Sequence, residues 1–254
     1  MTTPIRNESG GDPGESKPAA APALVPRSGR EVLAAWTDDQ RAHLRSWFGL
    51  RDELYLAREL GCDVAELHAA AWEAFDEPVR DDAWSAEETA EFRKYLGAVD
   101  LDLIARMLGR SRFDLDRRLV ELAASLGREP LSADEIVSFK RLYGTRADED
   151  LALVFGRELA LVQETAAKLC LSKDKVFLRR ASGGSRKTLM PRWSSDELEK
   201  LAEMYPSHSN LDIAQVLGRS VKSVVSKAHN LGLKKDKARL QQMGRQNVRM
   251  RYER

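Results

Sequence analysis

The sequence is poor in the residues that build disulfide frameworks and metal sites. It contains two cysteines, Cys62 and Cys170, far apart in the chain, and four scattered histidines without metal-ligand spacing. No apolar run approaches the roughly eighteen residues of a membrane-spanning helix. The first thirty residues lack the apolar core of a signal peptide. We therefore expect a reducing environment, no metal, no membrane span and no cleaved leader.

A catalytic constellation is also missing. No Ser-His-Asp or Cys-His arrangement is visible, and paired acids such as Asp38 and Asp39 fit helix starts, where carboxylates favour the dipole. The stretch Gly183–Lys187 lacks the glycine spacing of a phosphate-binding loop and a preceding strand. The sequence predicts a protein that is not an enzyme and takes no cofactor or small-molecule ligand.

The chain does have a strong separation of charge along its length. Its 41 basic and 40 acidic residues nearly cancel, yet residues 1–172 carry −10 and residues 173–254 carry +11. Such an asymmetry indicates one end that binds a polyanion and one end that avoids it. A basic end that serves only solubility is the alternative interpretation.

One sequence unit occurs four times. The copies align on Trp36, Trp84, Leu131 and Trp193, and each anchor is followed at the same distance by an Ile/Leu-Ala pair and then by a glycine: Gly61, Gly109, Gly156 and Gly218. Apolar residues at helical spacing predict three helices per copy. The first helix is expected to open with a capping box, at Thr37–Gln40, Ser85–Glu88, Ser132–Glu135 and Ser194–Glu197. The second helix, the glycine turn and the third helix together predict a helix-turn-helix.

These residues resemble the Myb/SANT-like helix-turn-helix superfamily. The fourth copy carries the resemblance over residues 193–233, with Trp193-Ser194-Ser195-Asp196-Glu197, then the IAQVLGRS motif ending at Ser220. It is similar to bacterial and phage Myb-like modules, including the amino-terminal module of GcrA-type cell-cycle regulators. The resemblance implies a trihelical fold that binds DNA through its third helix. Eukaryotic Myb repeats space three tryptophans through each unit; because this chain does not, their base specificity is not transferred to it.

The predicted architecture is all-α, with four tandem three-helix units. It comprises a disordered leader at 1–30, helix-turn-helix-like units at 31–80, 81–128 and 129–172, a basic linker at 173–191, a Myb-like unit at 192–235 and a basic tail at 236–254. The close spacing of the first three units predicts that they stack on one another. The fourth unit is expected to be tethered.

The third helix of the fourth copy is the predicted DNA-binding element, because no acid occurs between Asp212 and Asp236. Ser220 is expected to cap this helix, and Arg219 to hold a backbone phosphate. The full predicted set is Arg192, Arg219, Ser220, Lys222, Ser223, Ser226, Lys227, His229, Asn230, Lys234 and Lys235, with Arg179, Arg180, Arg186 and Lys187 from the upstream arm.

The first and third copies carry acids on the corresponding helix and are interpreted as units for a protein partner or for self-association. The sequence thus predicts a protein that binds double-stranded DNA, as a transcriptional regulator or a chromosome-organising factor. Its location would be the cytoplasmic nucleoid in a bacterium or the nucleus in a eukaryote.

Two alternatives remain open. The chain could be a protein-interaction adaptor whose basic end binds RNA or an acidic partner. It could also be a multi-repeat clamp, in which Arg110, Arg112, Arg117 and Arg118 of the second copy contact DNA as well.

Overall fold

A computed structural model describes residues 27–183 and 191–252, with side chains through residue 245. Over these ranges the protein is all-α, and its only β pairings there are the isolated parallel bridges Arg80–Arg110 and Gly127–Arg157. The helices are α1 Gly29–Ala35, α2 Asp38–Trp47, α3 Glu53–Leu60, α4 Val64–Ala74, α5 Ala86–Tyr95, α6 Leu101–Leu108, α7 Arg112–Ala124, α8 Ala133–Leu142, α9 Asp148–Phe155, α10 Leu159–Lys168, α11 Lys175–Ala181, α12 Ser195–Met204, α13 Asn210–Leu217, α14 Val221–Asn230 and α15 Lys237–Tyr252. None of the described helices has both the length and the apolar character needed to cross a bilayer.

The buried side chains of the described residues form four hydrophobic clusters. We call the helices around them the first group (α2–α4), the second (α5–α7), the third (α8–α10) and the fourth (α12–α14). Each cluster contains one fully buried residue from each helix of its group, at equal offsets from the anchors: Leu44, Leu56 and Leu67; Phe92, Ile104 and Leu115; Phe139, Leu151 and Val162; Leu201, Ile213 and Val224. The four cores therefore repeat with the spacing of the sequence unit.

A left-handed glycine ends the second helix of every group. Gly218, for example, has φ +60°, and its N–H bonds to the carbonyl oxygens of Ala214 and Gln215. A residue with a Cβ is strained at this φ, so glycine allows the chain to turn sharply into the next helix. The predicted positive φ is confirmed.

Three of the four expected capping boxes are formed, at Thr37, Ser132 and Ser194. At Ser85 the full box is not formed, although the serine hydroxyl accepts from the Glu88 N–H. The Glu88 carboxylate is bound by both Arg110 and Arg80.

Helices also occur in segments that the sequence pattern left without structure. Helix α1 begins at Gly29 and so includes the last two residues of the expected leader, while residues 1–26 lie outside the described ranges. Helix α11 lies in the expected basic linker and α15 in the expected basic tail.

Arginine and glutamine side chains join successive groups by donating to main-chain carbonyls. Arg106 donates to the Phe75 carbonyl at 3.0 Å, and the buried Arg146 donates to the Lys94 carbonyl at 2.9 Å. Gln215 of α13 donates to the Lys168 carbonyl at 3.1 Å. The fourth group, which we expected to be merely tethered, is thus bonded to the end of the third.

Candidate nucleic-acid interface

Helix α14 is fixed by its apolar side and exposes the opposite side. Val224 and Ala228, one helical turn apart, are fully buried in the fourth group. Lys222, Ser226 and Asn230 consequently point outward and are exposed. These three members of the predicted set therefore lie on the solvent side of the helix.

The start of α14 is capped as the sequence predicted. The Ser220 hydroxyl accepts from the Ser223 N–H at 3.2 Å, so Ser220 has a structural task at this end. None of the ten residues of α14 is acidic. Lys227 is half-buried and His229 is exposed in the last turn, where positive charge also favours the helix dipole.

Arg219 does not point to solvent. Its guanidinium binds the Glu197 carboxylate through two bonds of 2.8 and 2.9 Å and donates to the carbonyls of Pro191 and Arg192. The guanidinium carbon also lies 5.0 Å from the ring centroid of Trp193. These bonds use the donors that a phosphate would need, so the geometry makes Arg219 a structural residue of the fourth group.

The ion pair also changes the acidity of its carboxylate. The hydrogen bonds from Arg219, followed by the Ser194 N–H, lower the pKa of Glu197 from 4.5 to about 2. Glu197 thus both closes the capping box of α12 and holds Arg219.

The same pairing recurs in the other groups that contain both partners. A glutamate at the start of the first helix binds the arginine after the turn glycine in the pairs Glu88–Arg110, Glu135–Arg157 and Glu197–Arg219. In the first group both partners differ together, since Gln40 and Cys62 take these positions. This joint replacement is the sequence signal that could have assigned Arg219 a structural role.

The start of α14 lies against the segment that follows α10. The Val221 N–H donates to the Cys170 carbonyl at 3.0 Å, and the Lys222 ammonium is bonded to the Asp174 carboxylate. A cleft of about 590 Å³ separates this side of α14 from the end of α8. Lys222 remains 68% exposed, but its charge has a carboxylate partner.

The cations in the segments that flank the fourth group differ in whether they are free to bind a phosphate. Arg192 and Lys234 are exposed. Lys235 donates to the His208 carbonyl at 2.6 Å, its ammonium lies 3.9 Å from the centroid of the Tyr205 ring, and burial lowers its pKa. Lys234 is therefore the better placed of the two lysines for a phosphate.

The two described arginines of the predicted upstream arm differ in whether they have an acidic partner. Arg179 is exposed at the end of α11, whereas Arg180 bonds to Glu53 of the first group at 3.3 Å. The predictions for Arg186 and Lys187 lie outside the described residues.

The four arginines of the second copy that could contact DNA in a multi-repeat clamp are already paired. Arg110 is fully buried against Glu88, and the other three are bound by neighbouring carboxylates in the pairs Arg112–Asp116, Arg117–Asp114 and Arg118–Glu121. This arrangement favours α14 over α7 as the helix that faces a polyanion.

Comparisons with protein-family models, with curated proteins and with solved structures found no match to this chain. Within the described ranges, no group of histidine, cysteine and acidic side chains is arranged to hold a metal ion.

Proposed function

We propose that the protein binds double-stranded DNA through α14. In this proposal the four groups are tandem helix-turn-helix units of the Myb/SANT-like kind, and α13, Gly218 and α14 form the helix-turn-helix that enters the major groove. The observation that carries the proposal is the outward side of α14, which combines cations and hydrogen-bond donors with no carboxylate of its own.

The corresponding helices of the other groups support this choice by contrast. Each of them has a carboxylate that is at least one-third exposed: Glu73 in α4, Asp116 in α7 and Glu164 in α10. A carboxylate facing a phosphate weakens binding, so α14 is the best suited of the four third helices.

The side chains of α14 suggest two tasks. Lys222 and Lys227 supply charge for phosphates, while Ser226, His229 and Asn230 can donate to or accept from base edges. The exposed Arg192 and Lys234 extend the phosphate contacts on either side. Ser223 and Ser220 support the first turn, where backbone amides favour an anion.

The other groups would supply contacts with proteins. The net negative charge of residues 1–172 keeps their surfaces away from DNA in general and leaves them for a partner or for a second copy. DNA binding by the fourth group and protein binding by the others would suit a regulator of transcription or a chromosome-organising protein.

A charge reversal tests the proposal. Lys227→Glu in the full chain is expected to weaken duplex binding at least about tenfold, through the loss of a phosphate contact and the addition of a repelling carboxylate. Fluorescence anisotropy with a labelled duplex measures the affinity. Lys200→Glu, an equal charge change on the exposed surface of α12, is the matched control and should change affinity by less than about threefold.

Two results would contradict the proposal. Equal effects of the two substitutions would show that only net charge matters. Displacement of the duplex by a much lower concentration of RNA than of unlabelled DNA would instead favour the adaptor that binds RNA.

A further inference from the structure

The cleft between the third and fourth groups has a basic lining to which both groups contribute. Lys140 and Arg141, in the last turn of α8, lie on one side, and Lys222 and His229 of α14 lie on the other. Lys140 and Arg141 are both exposed. These two cations belong to the part of the chain with net negative charge, so sequence composition drew no attention to them.

Among the described residues that line this cleft, the only carboxylate is that of Asp174, which is bonded to Lys222. Lys140 and Arg141 line the cleft from the α8 side, and Asp174 lies beside Gly144, shortly after the end of α8. Tyr143 and Val225 add apolar surface between the charged edges. Cations at the edge and apolar walls beneath suit a sugar-phosphate strand, in which charged phosphates alternate with deoxyribose.

Main-chain and side-chain bonds hold the two sides of the cleft in register. Val221 at the start of α14 bonds to the Cys170 carbonyl, and Gln215 of α13 bonds to the Lys168 carbonyl. A DNA strand that runs alongside α14 would therefore also pass the end of α8 rather than another surface of the third group.

We propose that the DNA backbone beside α14 runs along this cleft and is bound by Lys140 and Arg141. The DNA-binding surface then spans two groups, and the third group contributes through the end of its first helix instead of its third helix. This inference rests on the proposed function, because it extends the same interface. Guanidinium and ammonium donors both form charge-assisted bonds with phosphate oxygens.

The test uses the full chain with Lys140→Gln and Arg141→Gln together. Duplex affinity near 0.1 M salt should fall on the order of tenfold, and the slope of log affinity against log salt should become shallower by about 2, since two phosphate contacts are lost. The matched control is Arg30→Gln with Arg128→Gln, which removes two cations that are each 85% exposed and lie outside the cleft. The control should leave the slope unchanged within about 0.5.

A structural role for the two residues is tested by thermal unfolding of the glutamine variant, because cations at a helix C-terminus also stabilise the helix; an unchanged midpoint assigns the loss of affinity to the phosphate contacts. Exchanging the residues, Lys140→Arg with Arg141→Lys, preserves the charge and should preserve the affinity within about threefold. Loss of binding in the exchanged variant would overturn the inference, as would identical salt slopes for the glutamine variant and the control.

The outcome also separates this inference from the proposed function. If Lys227→Glu weakens duplex binding and Lys140→Gln with Arg141→Gln does not, the proposed role of the cleft is wrong, while the proposal for α14 stands. If the unaltered chain does not bind duplex DNA, both proposals fail.

Discussion

The arginine that follows the turn glycine illustrates how one residue type can serve either the fold or the ligand. We expected Arg219 of the fourth group to hold a backbone phosphate, yet its guanidinium is occupied by Glu197 and two carbonyls. Residue identity and neighbours in sequence could not distinguish these roles. The distinction depends on a glutamate in a different helix, 22 positions earlier in the chain.

The Glu197–Arg219 pair predicts a specific dependence of stability on pH. Because the folded protein holds the pKa of Glu197 at about 2 instead of 4.5, the ion pair stabilises the fold above the ordinary value. This contribution is lost as pH falls through the interval from 4.5 to about 2. The difference in unfolding free energy between the unaltered chain and Glu197→Gln should therefore shrink as the solution is acidified through that interval.

Chemical denaturation followed by circular dichroism, at several pH values within the interval, measures this difference. Glu199→Gln, on the same helix but outside the Arg219 contact, is the control and should show a smaller change. A difference for Glu197→Gln that stays constant with pH would contradict the assigned pairing.

At the scale of the element, α14 has one exposed side, and an ion pair holds one of the lysines on that side. Its outward lysine, Lys222, is bonded to Asp174, which is only 33% exposed. A phosphate that approaches Lys222 must therefore compete with this carboxylate. An exposed ion pair of this kind contributes about 0–1 kcal/mol, so the competition is modest.

Asp174→Asn is expected to tighten duplex binding by about two- to fivefold, because it frees Lys222 and removes a repelling charge from the cleft. Anisotropy titrations of the two chains at the same salt concentration measure the change. Glu203→Gln on α12 removes an equal charge from another exposed site and should have a smaller effect. Weaker binding by Asp174→Asn would instead show that the carboxylate positions α14 for its ligand.

The sequence predicted the elements with strong apolar periodicity better than the short or basic ones. Core positions such as Ile213 and Val224 follow from helical spacing, and Gly218 follows from the turn between them. Helix α1 is too short for apolar periodicity to reveal it, although its capping box, Ser28–Glu31, is a local signal of the kind that marks the other helices. Contacts that only the folded chain provides support it as well. Val32 is buried in the first cluster, and Arg30 bonds to Glu73, 43 positions later.

At the scale of the whole molecule, net charge along the chain is an incomplete guide to the interface. The change of sign near residue 172 directed attention to α14 but not to Lys140 and Arg141, which the fold brings to the cleft beside that helix. Their proximity depends on bonds between the third and fourth groups, such as Gln215 to the Lys168 carbonyl. No local pattern in the sequence encodes such a contact.

The most direct test of the central claim is the salt dependence of duplex binding by the full chain. If six to eight cations from α14, the cleft and the flanking segments neutralise phosphates, log affinity should fall linearly with log salt, with a slope of roughly −5 to −7. A slope near zero, measured by anisotropy over a range of salt concentrations, would contradict the account, because no set of phosphate contacts could then support the binding.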